Sequence, residues 1–248
     1  MFLRDLRDDP GSIDTLLEYG EALVELGRLP EAAEKFRRVL ELEPANVDAH
    51  YRLGEIALQA TRYEQAHLEF ELVLKLDPQF PQIRAALAEA LLRRGRVERA
   101  RPYLREELDV LEAAEPGADP SIDLGRFGTL LLDAGMPAEA ADVFEWAISV
   151  TGQSPELLRK LALARFRAGD RQAGAAASRR VLRLDPQCVV SMHNLALAAM
   201  EQGRLRLAGG WIDQGLRVDR HDDGLRRLRM RLVLAWIGRG LGRLFGAR

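Results

Sequence analysis

The stretch VLKLDPQF at 73–80 has two near-copies, VLELEPAN at 39–46 and VLRLDPQC at 181–188. Each reads as an apolar pair, a charge, Leu, an acid and Pro. The first two copies stand 34 residues apart; the third lies 108 residues past the second, three such steps with six residues to spare. A fixed spacing in this range marks a chain that repeats one supersecondary unit.

A second phrase sets the register: LGRLPEA (26–32), ATRYEQA (60–66), RGRVERA (94–100), AGMPAEA (134–140), AGDRQAG (168–174) and QGRLRLA (202–208). Gly holds the second place at 27, 95, 135, 169 and 203, and Thr61 is the exception. Glycine there lets the chain leave one helix through a left-handed residue and enter the next. Pro30 and Pro137 suit the opening of the second helix, where a missing N–H is not needed. Pro44, Pro78 and Pro186 then end it.

The segments on either side have helical periodicity. Leu16, Tyr19, Gly20 and Leu23 share one face; Ala32, Phe36, Val39 and Leu40 share another. Gly20, Gly54, Ala88, Gly128, Ala162 and Ala196 fill one slot of the first helices. Ala32, Ala66, Ala100, Ala140, Gly174 and Ala208 fill one slot of the second, with Phe36, Phe70, Leu104, Phe144 and Ile212 beside them. Small residues at these slots allow close helix crossing, and the larger ones fill the gap.

This pattern resembles the tetratricopeptide repeat, a 34-residue helix–turn–helix with small residues at the crossing and a closing Pro. The resemblance implies an all-α fold, a right-handed superhelical solenoid of stacked helix pairs. Six units are expected, at about 13–46, 47–80, 81–120, 121–154, 155–188 and 189–222, with 1–12 a partial repeat or cap. The third unit is six residues longer, its excess in EELDVLEAAEPGADP (106–120), read as a lengthened second helix and a loop. Residues 223–248 are expected to form a basic amphipathic capping helix and tail, helical over 224–237 and weakened beyond Gly238 by glycines.

Composition narrows the function. Apolar residues make up 47% and charged ones 30%, as in a folded soluble protein. One cysteine, Cys188, rules out an internal disulfide. No two of His50, His67, His193 and His221 have the spacing of a helical metal pair. GRGLG (238–242) lacks the strand a phosphate loop needs, and no nucleophile elbow occurs. These readings predict a non-enzyme without cofactor or metal. The opening MFLRDLRDDPGS has no signal-peptide core and no run is long enough to span a bilayer, so a cytoplasmic location is expected.

By the family resemblance, the first helices line a concave groove that binds peptide segments. Register places Glu21, Tyr51, Arg52, Glu55, Glu89 and Arg93 on that face, then Arg126, Lys160, Phe166, His193 and Asn194. The slots that clamp a chaperone-tail carboxylate in one subtype hold Leu17, Glu21, Arg52, Gln82 and Ala86 here, with Arg52 their one base. That role is therefore not expected. Residues 1–154 carry 17 basic and 30 acidic side chains, and residues 155–248 carry 19 and 8. The expected partner is a protein segment that is basic or apolar-basic. Nucleic acid is not expected, because aromatics are not interleaved with the bases.

The tail LRRLRMRLVLAWIGRGLGRLFGAR (225–248) leaves three readings open: a cap on the sixth unit, contact with an anionic membrane surface, or contact with the acidic half of another copy. Trp236, Arg239, Arg243 and Phe245 are its candidate membrane residues.

Overall fold

The computed structural model describes residues 12–113 and 123–245, with side chains as far as 237. The partial repeat read over 1–12 lies almost wholly outside the described residues, as does the part of the 106–120 stretch beyond 113. Every regular element among those described is an α-helix. The chain divides into two compact units, residues 1–123 and 124–248.

The N-terminal unit holds α1 (Ile13–Glu25), α2 (Leu29–Leu42), α3 (Val47–Gln59), α4 (Tyr63–Leu76), α5 (Ile83–Arg93) and α6 (Val97–Glu112). Each helix packs on its sequence neighbours. Phe36 and Phe70 are fully buried in two successive core clusters. The crossing is tight: a Cβ built on Gly20 would lie 2.6 Å from the Phe36 ring, and one on Gly54 would lie 2.4 Å from Phe70. Glycine is thus a packing requirement at both places.

The C-terminal unit holds α7 (Leu124–Asp133), α8 (Pro137–Thr151), α9 (Pro155–Arg167), α10 (Arg171–Leu184), α11 (Val189–Glu201), α12 (Leu205–Val218) and α13 (Asp223–Phe245). Gly128 meets Phe144 in the same manner, at 2.7 Å from a built Cβ. Between α9 and α10 the roles change hands. Ser178 stands where the ring would be, and Phe166 of α9 presses instead on Gly174 of α10, 2.8 Å from a built Cβ.

One turn joins the two helices of every pair. The N–H of Arg28, Arg62, Arg96, Met136, Asp170 and Arg204 donates back to a carbonyl five residues earlier, at 2.8 or 2.9 Å. That bond needs a left-handed residue just before the donor. Gly27, Gly95, Gly135, Gly169 and Gly203 supply it, and Thr61 is held there at φ 58°.

α13 corrects one expectation. Its helix continues past Gly238 to Phe245 instead of weakening there. Each residue added to a formed helix gains a hydrogen bond, and this outweighs the modest glycine penalty.

Candidate functional site

In the N-terminal unit the charges predicted for the groove face are joined to one another. Arg52 of α3 donates from Nη2 to Glu21 Oε1 of α1 at 2.6 Å, and from Nη1 to Glu55 Oε2 at 2.9 Å. One guanidinium thus ties two helix pairs together and satisfies part of both carboxylates. Leu17, Val24 and Leu58 stay half-buried at the edge of the core beside this network.

Tyr51 is largely a packing residue. Its ring lies 4.9 Å from Phe80 and 5.7 Å from Phe70, both tilted, and the Arg52 guanidinium sits 6.0 Å from its centroid. Glu89 is only 8% exposed and receives a bond from Arg93 Nη2 at 3.3 Å. α5 is enclosed on nearly every side, with Ala85 through Leu91 all buried. Glu89 is therefore not open groove surface, although Arg93 is exposed.

In the C-terminal unit, Arg126 is exposed on α7 and Lys160 pairs with Glu156 one turn earlier at 3.2 Å. Phe166 is half-buried and packs on the cluster of Ala175, Leu195 and Ala198. Its ring serves the α9–α10 crossing. His193 and Asn194 are half-buried on α11, and the His193 ring lies against Gly224 at the start of α13, 2.8 Å from a built Cβ.

The sequence did not reveal two buried histidines. His50 bridges α3 to α4, with Nδ1 2.7 Å from Glu69 Oε2 and Nε2 3.1 Å from the Pro44 carbonyl. Burial pushes His67 below the usual imidazole range; Glu71 opposes the shift, and Arg94 and Arg99 add to it. Burial also raises the Glu107 carboxyl, against the pull of Arg84 and the Ala85 backbone. Each of these groups is embedded in helix packing. Among the described residues, no His, Cys, Asp and Glu side chains gather into a set that could hold a metal ion. Cys188 is buried at the start of α11, where its Sγ accepts from Ser191 at 3.3 Å.

On α13 an apolar surface accompanies the candidate membrane residue Trp236. Trp236 is exposed together with Met230, Val233, Leu234 and Ile237. The side chains of Arg239, Arg243 and Phe245 lie outside the described residues. Among the described residues, no helix is long and apolar enough to cross a membrane.

Comparison with known proteins gives a consistent picture. A sequence profile described as tetratricopeptide repeat matches residues 17–79, 126–187 and 159–224, and a second with the same description matches 57–106. No curated protein matches the chain. Among solved structures, pilF of Pseudomonas aeruginosa is similar at 17% identity and TM-score 0.63, covering 90% of this chain and 98% of its own. PilW, described as a widely conserved type IV pilus biogenesis factor, is 15% identical with TM-score 0.61, covering 87% and 97%. YrrB, described as a TPR protein with an unusual peptide-binding site, is 17% identical with TM-score 0.58, covering 77% and 96%.

Proposed function

The chain belongs to the tetratricopeptide repeat family, and from that premise we propose that it is a non-enzymatic scaffold holding a segment of a partner protein in the concave groove that the first helices line, against α1 and α3. One observation carries this reading. Arg52, Glu21 and Glu55 form a charged lattice across two helix pairs, beside half-buried Leu17, Val24 and Leu58. A surface of fixed charges and adjoining apolar patches suits a segment that mixes both.

The partner segment is basic and apolar. Glu21 is half-exposed at 50% of its side chain even while bound to Arg52, so an incoming Lys or Arg can share its carboxylate. Aliphatic or aromatic residues of the segment would cover Leu17, Val24 and Leu58. That YrrB, of the same fold, is described with a peptide-binding site supports this use of such a surface.

The test is selection of a random peptide library on the full chain, followed by hydrogen-exchange mapping. Basic, apolar peptides that protect α1 and α3 are expected. Glu21→Lys with Glu55→Lys should weaken them about tenfold or more while leaving helicity unchanged. Protection confined to the second helices, or unchanged binding by the double variant, would overturn the reading.

A further inference from the structure

α13 stands in register with the first helices before it, yet no second helix covers it among the described residues. The slots held in α1 by Leu16, Tyr19, Gly20 and Leu23 hold Arg226, Arg229, Met230 and Val233 in α13. In α1, Leu16, Gly20 and Leu23 are buried. In α13, Met230 is 69% and Val233 51% exposed, Leu234 and Ile237 extend the apolar surface, and Trp236 is exposed one turn beyond Leu232. The helix is nonetheless firmly seated. Leu225, Leu228 and Leu232 are buried on its other side, in one cluster with α11 and α12.

This face differs from those of α1 and α3, which a second helix covers. In the pairs α1–α2 and α3–α4, even one Cβ at the crossing slot would collide with the ring of the second helix. Met230 fills that slot here. A covering helix would also bury Arg226 and Arg229, and from Gly224 to the end the chain has seven arginines and no acid. Unpaired buried charge is strongly disfavoured.

An anionic bilayer surface meets both demands. A groove of about 920 Å³ along this face is lined by Arg220, Arg226 and Arg229 and by Met230, Val233 and Leu234. Arg229 has Asp213 no nearer than 3.9 Å. At a membrane interface, guanidinium groups stay hydrated while bonding to phosphates, and aliphatic side chains with a tryptophan enter the acyl boundary. We propose that α13 docks the protein on anionic lipid, lying in the interface plane.

The experiment is flotation of the full chain with phosphatidylcholine vesicles containing about one-third phosphatidylglycerol, and with pure phosphatidylcholine vesicles. Binding to the anionic vesicles alone, released by high salt, is expected. Val233→Asp with Leu234→Asp should lower the bound fraction about tenfold. Both positions are exposed, so the fold should persist, as circular dichroism would verify. An independent readout is the blue shift of Trp236 emission on binding, isolated by subtracting the Trp236→Phe variant. Absence of binding at low salt overturns the proposal. So does self-association without lipid that the same double substitution abolishes, which would assign the face to a second copy. Preferential capture of an acidic apolar peptide over vesicles would overturn it in favour of a protein partner.

Discussion

The helix pairs α3–α4 and α9–α10 make the same crossing from opposite sides. In the first, Phe70 of the second helix fills the space over Gly54 of the first. In the other, the corresponding positions hold Ser178 and Ala162, and the bulk has moved one helical turn: Phe166 of the first helix meets Gly174 of the second. Ser178 turns inward and donates to the Gly174 carbonyl at 2.9 Å. What these two pairs share is one ring against one glycine at close range; in α5–α6 and α11–α12 an alanine and an aliphatic side chain, Ala88 with Leu104 and Ala196 with Ile212, fill the same slots. Which helix supplies the ring is open, as expected when total volume and close packing decide stability.

The largest effect should come from removing the rings. Phe70→Ala empties a fully buried site and should cost about 3–5 kcal/mol in denaturant unfolding. Phe166→Ala should cost less, about 2 kcal/mol, because that ring is half-buried. A negligible loss at Phe166 would break the equivalence of the two crossings and return that ring to the surface as a ligand contact.

Adding a methyl to the glycines sharpens the point. Gly54→Ala and Gly174→Ala should each cost about 1–3 kcal/mol through collision with the facing ring. Combining Gly174→Ala with Phe166→Leu should recover most of the loss, read as a coupling energy in a double-mutant cycle. Additive losses would mean that the two residues do not share one gap.

This crossing also shows where the sequence could be read and where it could not. The 34-residue period, the turn slot and the glycines against phenylalanines follow from one-dimensional spacing, and the helices α1 to α4 and α7 to α12 start and stop close to where those signals stand. Phe166 shares its slot with Leu58, so periodicity alone assigned it to the expected groove face. Only the paired departures at Gly174 and Ser178 betray its true use. The positions expected on the groove face could be listed from the register, but not the contacts among them. That Arg52 reaches Glu21 on another helix depends on side-chain reach between elements, and that Glu89 is buried depends on what surrounds α5. The unusual character of α13 was written in the register, at Met230 in the slot reserved for small residues. It gained meaning only once the opposite face was seen to be buried.

The turn slot gives a smaller contrast between the same two pairs. Thr61 holds φ 58° where Gly169 holds 87°. A β-branched residue pays about 1 kcal/mol or more for that conformation. Thr61→Gly should therefore stabilise the protein by about 1 kcal/mol, less the added freedom of glycine in the unfolded chain. Gly169→Thr should have the opposite sign. A stabilisation by Gly169→Thr would show that the turn imposes no left-handed requirement at that position.

The smallest difference is in proton binding. His67 of α4 corresponds to Ala175 of α10, and both are buried. Burial first, with Arg94 and Arg99 adding to it and Glu71 and Glu64 opposing, holds the folded imidazole below its usual value of 6.5. Above 6.5 the imidazole is neutral in both folded and unfolded chains, and it does not affect the balance. As the pH falls through 6.5, the unfolded chain takes up a proton that the folded chain resists, so stability declines until the lowered folded value is passed. His67→Ala, which copies the α10 residue, should flatten this part of the stability–pH curve even as it lowers the plateau through lost packing. An unchanged slope between pH 7 and pH 5 would place the acid sensitivity elsewhere in the chain, and would leave the two pairs differing in packing alone.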